Sequence, residues 1–177
     1  MRGGIRVIGY HGTSGKFAKS ILKNGLRPSG NDYDWLGKGG YFFEENRERA
    51  IYWAKKEHPA DPAIVGAVIN LAGMLDLTNH TAITELGRTV PSFIKFLQKQ
   101  GKPIPCNKED GRRYFDRALI DTFCSISATA DTSFPVVRGL FEEGYKIHKN
   151  SNIRRLTHIQ LAVRDQKAIL GMWSEKL

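Results

Sequence analysis

Apolar and polar positions follow two rhythms along this chain, and the changes between them mark its elements. Residues 5–11, IRVIGYH, read as a β-strand. The run GTSGKFAKSILKNGL that follows predicts a helix: Phe17, Ile21 and Leu22 recur at i, i+4 and i+5, and Gly25 stands where a terminating glycine belongs. After a loop rich in Gly, Asn and Asp, Gly40-Tyr-Phe-Phe predicts a short apolar strand. Glu45 to His58, ENRERAIYWAKKEH, then predicts a helix whose early acids and late bases suit its dipole. Ala63 to Leu71, AIVGAVINL, has the Val/Ile content and the length of a buried strand. Helical patterns follow at 82–87, 92–100 and 114–126, and strands return at 135–141, near 145–147 and at 158–163. Strands at both ends with helices between them predict an α+β sheet domain and not a repeating βαβ array. No repeat or Pro-rich linker divides the chain, so a single domain is expected over residues 1–177.

Composition narrows the class. A chain of 177 residues, 41% hydrophobic and 25% charged, is long enough to bury a core. Its apolar runs fall short of the ~20 residues that span a bilayer, so no membrane association is expected. The start, Met1-Arg-Gly-Gly-Ile-Arg-Val, lacks the apolar core and cleavage site of a signal peptide, which points to the cytoplasm. Cys106 and Cys124 are too few for a disulfide framework and lack zinc-site spacing, so no metal is expected. Charge changes the picture more: 27 Lys+Arg against 18 Asp+Glu give a formal +9, a field that favours polyanionic partners. The segment 102–113, KPIPCNKEDGRR, is the most loop-like internal piece and is basic at both ends.

Two short motifs carry candidate chemistry. Tyr10-His11-Gly12-Thr13-Ser14 closes the first strand, where an imidazole beside bare backbone lets ligand groups approach the main chain. A histidine there also serves as a satisfied structural residue. Thirty residues beyond His11, Gly37-Lys38-Gly39-Gly40-Tyr41-Phe42-Phe43 leads into Arg49-Ala50-Ile51-Tyr52. Tyr41 and Tyr52 can face one another across a slot that fits a flat cationic ring, or simply pack as half-buried aromatics.

Together these motifs resemble the poly(ADP-ribose) polymerase-like branch of the ADP-ribosyltransferase superfamily. Over roughly residues 5–55 the match runs in order through His11-Gly12-Thr13, the helix segment Ile21-Leu22-Lys23-Asn24-Gly25-Leu26-Arg27, the G-K-G-x-Y-F strand and a tyrosine, Tyr52, at the family's spacing. The resemblance implies a split β-sheet core with flanking and inserted helices, and NAD+ as co-substrate. It implies that His11 hydrogen-bonds the adenosine ribose, that the Gly12 backbone holds the nicotinamide carboxamide, and that Tyr41 and Tyr52 sandwich the nicotinamide. Thr13 and Arg49 are counted with the same NAD+ pocket, although the family commonly has a carboxamide-binding serine where this chain has Arg49. The late strand Thr157-His158-Ile159-Gln160 puts Gln160 in place of the family's glutamate, beside the nicotinamide ribose. Glutamine can hydrogen-bond a hydroxyl but cannot act as a base, and in the family this loss accompanies transfer of a single ADP-ribose.

Secondary candidates surround that set. Glu142 and Glu143, in a Gly-bounded acidic turn, are either solvated or able to activate an acceptor; His158 shares a strand face with Gln160. Arg154 and Arg155, with Arg112 and Arg113, are available for phosphates. The resulting expectation is a mono-ADP-ribosyltransferase with catalytic His11, Tyr41 and Gln160, a stand-alone toxin-like effector of the kind used in phage defence. Its expected acceptor is nucleic acid, RNA before DNA, with an antitoxin or inhibitor protein as a further partner. Two alternatives stay open: an NAD+-dependent RNA 2′-phosphotransferase, and a non-catalytic module that binds NAD+ or ADP-ribose.

Overall fold

In a computed structural model that describes residues 4–129 and 133–177, the Val/Ile-rich run forms β3 (Pro62–Asn70), whose residues 64, 65, 67 and 69 have no solvent exposure. The start of the N-terminal segment, residues 1–3, lies outside the described residues. Before β3 come β1 (Arg6–Ser14), α1 (Gly15–Asn24), β2 (Gly40–Glu44) and α2 (Arg47–Glu57). After it come β4 (Leu75–Asp76), α3 (His80–Lys99), α4 (Tyr114–Thr129), β5 (Val136–Phe141), β6 (His158–Val163) and β7 (Ile169–Glu175). The strands form one seven-stranded sheet in the order β4-β5-β6-β2-β1-β3-β7, antiparallel except for the β4–β5 pair. A mixed α/β domain with a mostly antiparallel sheet and four α-helices among the described residues agrees with the α+β expectation.

The period-two alternation of the strands sorts their side chains to two faces. Phe42, Val65, Ala67, Ile69, Val136 and Leu161 pack under α1, whose Ala18 and Ile21 complete the layer. On the other face, Phe43 and Ile64 meet Ala50 of α2, while Val137 and Ala162 meet Ile120 and Cys124 of α4. Helix α1 starts where the Ser14 hydroxyl accepts the Phe17 N–H, and it ends at Gly25, whose φ of 81° is open to glycine and whose N–H reaches the Ile21 carbonyl.

Four expectations are corrected. The helical patterns at 82–87 and 92–100 are one helix, α3, running through Pro91. Leu86, Val90, Phe93 and Leu97 form a continuous stripe against Phe115, Ala118 and Leu119 of α4, and that packing outweighs the bond that Pro91 cannot donate. Helix α2 begins at Arg47, not Glu45: Asn46 caps it by accepting the Arg49 N–H, and Glu45, at φ 49°, instead accepts the Ile8 N–H. No strand forms at 145–147, where Lys146 and Arg154 make an isolated bridge and Tyr145, Ile147 and Ile153 stay exposed, with no sheet face to bury them. Strands β4 and β7 were not expected; β7 pairs with β3 along most of its length.

Gly12 fixes how closely α2 lies on β1. A Cβ there would sit 2.4 Å from the Ala50 carbonyl oxygen and 3.0 Å from the Ala54 nitrogen, both backbone atoms of α2. The Gly12→Ala variant should therefore lose about 1–3 kcal/mol in urea unfolding as the helix is pushed off the sheet. Gly30→Ala, with nothing within 4 Å of the added carbon, should stay within about 0.5 kcal/mol.

Candidate functional site

Strand β1 pairs with β3 along nine residues, Arg6 to Ser14, but with β2 at only Gly9↔Glu44 and Tyr10↔Phe43. Beyond Tyr10 the sheet parts, while β2 stays paired with β6 from Gly40 to Phe43. The His11 ring spans the opening, with Nδ1 2.7 Å from the Tyr41 carbonyl oxygen. A carbonyl only accepts, so Nδ1 carries the proton and donates. Burial, aided by the charge of His58 and opposed by that hydrogen bond, lowers the His11 pKa from its ordinary 6.5. The ring is thus neutral at pH 7, and Nε2 is a bare acceptor suited to a hydroxyl donor.

Tyr41 is held from its other end. Its hydroxyl donates to the Gly37 carbonyl at 2.8 Å, and its phenol pKa is pushed far up, by burial first and then by Asp34. The loop that carries Gly37 is clamped to α4 and β6. Asp121 accepts from the Lys38 N–H at 2.8 Å and from Arg164 at 2.6 Å; Arg164 donates to the Lys38 carbonyl and Arg117 to that of Asn31.

Gln160 is oriented by a relay. The His158 Nδ1 donates to the Leu156 carbonyl at 2.5 Å, so its Nε2 accepts from the Gln160 Nε2 at 2.7 Å, which leaves Oε1 as the acceptor end of the amide. His158 itself is buried between Phe43 and Phe141, with ring centroids at 5.0 and 5.3 Å, and its pKa is lowered chiefly by burial. It supports the site from beneath and does not line it.

All seven residues singled out for the NAD+ pocket, His11, Gly12, Thr13, Tyr41, Arg49, Tyr52 and Gln160, line one cleft of about 1490 Å³. That exceeds the ~300–1,000 Å³ of a typical small-molecule site. Arg112, Arg113, Arg154, Glu142 and Glu143 line it as well, whereas Arg155 lies outside. The rings of Tyr41 and Tyr52 do not stack on one another among the described residues. Tyr52 carries the Arg49 guanidinium over its face at 5.1 Å, while Phe43 and Trp53 flank the same group at 5.2 and 5.9 Å.

Arg49 is the least expected member. It is 6% exposed, one amino group pairs with Glu143, and its Nε and Nη1 are buried with no partner among the described residues. Sequence reasoning also passed over Phe17, Trp53 and Lys56, which line the cleft. For Trp53 and Lys56 the signal is the spacing of Arg49, Tyr52, Trp53 and Lys56 at i, i+3, i+4 and i+7, one stripe of α2 built of rings and cations. No protein-family model matches this chain, and no curated protein sequence matches it.

The two lowered histidines set a pH dependence of stability. Below their ordinary value of 6.5 the unfolded chain binds protons that the folded chain does not, so stability is full above that pH and falls as pH drops toward the folded-state pKa values. Urea midpoints should be lower at about pH 5.5 than at about pH 7.5, and His11→Gln should flatten the difference. Equal midpoints for the wild type at the two pH values would contradict this.

Proposed function

We propose that the protein is an NAD+-dependent mono-ADP-ribosyltransferase whose acceptor is nucleic acid, RNA in the first place. The observation that carries the reading is the convergence of His11, Gly12, Tyr41, Tyr52 and Gln160, from four separate elements, on the one cleft where the sheet parts. The bare Nε2 of His11 is an acceptor for a ribose hydroxyl, and Oε1 of Gln160 is a second. Tyr52, half-exposed, offers ring surface for the nicotinamide, and Tyr41 lines the same cleft. Breaking the nicotinamide–ribose bond develops positive charge on the ribose, so holding the two ends of NAD+ supplies most of what the reaction needs. The neutral amide of Gln160 favours a single transfer over polymer growth. No metal enters this scheme.

The acceptor reading rests on charge and on exposed rings. To the overall +9, the cleft rim adds Phe17 at 55%, Tyr52 at 50% and Trp53 at 38% exposure, with Lys56 over the Trp53 ring. Rings interleaved with cations stack bases and hold phosphates. A stand-alone domain with this activity would act as a toxin-like effector kept in check by an inhibitor protein.

Five arginines on the cleft wall, at 27, 49, 112, 113 and 154, favour one second reading, the RNA 2′-phosphotransferase. The two readings differ in mass: transfer adds an ADP-ribose to RNA, whereas the phosphotransferase removes a phosphate. With labelled NAD+ and an RNA acceptor, wild-type protein should release nicotinamide and label the RNA. Tyr41→Ala should do so on the order of tenfold more slowly or worse, as expected for losing ~1.4 kcal/mol of ring contact. Equal labelling by the two proteins would remove Tyr41 from the site, and label found on proteins but never on RNA would remove the nucleic-acid acceptor.

A further inference from the structure

On the reading just given, the acceptor must lose a proton as it bonds to the ribose, and the Gln160 amide cannot take it. A carboxylate at the cleft can take it. Six among the described residues line it, and three of these are held by a neighbour within the chain: Asp34 by Asn31 at 3.4 Å, Asp110 by Arg112 at 2.6 Å and Asp116 by Asn107 at 2.8 Å. Glu143 differs. Its carboxylate pairs with Arg49, the buried guanidinium that lies over Tyr52 and Phe43. The charges of Glu143 and Arg49 both act on His158, the residue whose Nε2 holds Gln160, so the pair sits beside the ribose end of the proposed site. The main chain is fixed there too: the Glu143 carbonyl accepts the Leu156 N–H at 3.1 Å, and that of Gly144 accepts from Arg154 at 2.9 Å.

We propose that Glu143 is the base that activates the acceptor, and that Arg49 is the residue positioning it. An acceptor N–H or O–H attacks the ribose C1′; the new bond forms as the C1′–nicotinamide bond breaks, and that electron pair departs with neutral nicotinamide. The acceptor proton passes to the Glu143 carboxylate and from there to water, which reaches a side chain 40% exposed. Arg49 gives the carboxylate one fixed, charge-assisted partner, and its rigid fork flanked by rings keeps that partner in place.

The test compares wild type, Glu143→Gln, Glu143→Asp, Glu142→Gln, Arg49→Lys and Arg49→Ala in three assays: NAD+ binding by titration, nicotinamide release, and transfer to RNA across pH. Glu143→Gln should keep its NAD+ affinity and lose transfer by about 10²-fold or more. Glu143→Asp should recover part of the rate. Arg49→Lys should lower kcat with KM for NAD+ little changed, and should exceed Arg49→Ala. Transfer by Glu143→Gln at the wild-type rate would overturn the proposal, as would loss in Glu142→Gln alone, or loss of NAD+ binding along with transfer. A wild type that neither binds NAD+ nor labels RNA would sink the functional reading itself, which separates that failure from a failure confined to Glu143.

Discussion

The site depends on an unfinished strand pair. β1 and β2 share two residue pairs and then diverge, while each stays locked to its outer neighbour, β1 to β3 over nine pairs and β2 to β6 over four. Diverging strands would leave their facing backbone groups without partners, which is costly away from water. The His11–Tyr41 bond answers that cost with a side chain in place of a ladder bond. The same bond fixes the tautomer of the ring, so the element that closes the sheet also turns an acceptor toward the opening. Helix α1 covers one face and α2 the other, and the cleft is the space the parted strands leave between them.

The charged groups fall into two populations. Arg138 is held by Glu44 and Asp76, Arg164 by Asp121, and Arg49 by Glu143; these arginines are half-buried or buried, and each braces elements distant in sequence. Pairing satisfies them and contributes little to the field outside. The excess positive charge is therefore carried by exposed residues, some of them on the cleft rim. Arg49 belongs with the paired arginines: one amino group is held by Glu143, and its Nε and Nη1 are buried without a partner among the described residues.

Much of this was legible in the chain. The Val/Ile run of β3, the Gly25 stop and the Gly-Tyr-Phe-Phe strand were readable because burial on a sheet leaves a local signature. Strand β7 was not, because Ile169-Leu-Gly-Met-Trp-Ser-Glu has no clean alternation and gains its place by pairing with β3. The helical patterns at 82–87 and 92–100 read as separate, and long-range packing on α4 joins them through Pro91. In the site, His11 and Tyr41 were visible through short motifs, yet the Arg49–Glu143 pair spans 94 residues and arises only when the end of β5 meets α2. The role of His158 was hidden for a similar reason: its alternation with Gln160 was plain, but its burial between two phenylalanines from two other strands, β2 and β5, was not.

Gly12 carries a consequence for recognising other chains of this kind. Its lack of a side chain is demanded by the backbone of α2, at Ala50 and Ala54, before any ligand arrives. A His-Gly pair at a strand end is thus a signature of helix-on-strand contact. That contact would hold the glycine in place whether or not a ligand ever bound, so the pair marks geometry, and function must be read from the residues around it that the architecture does not require.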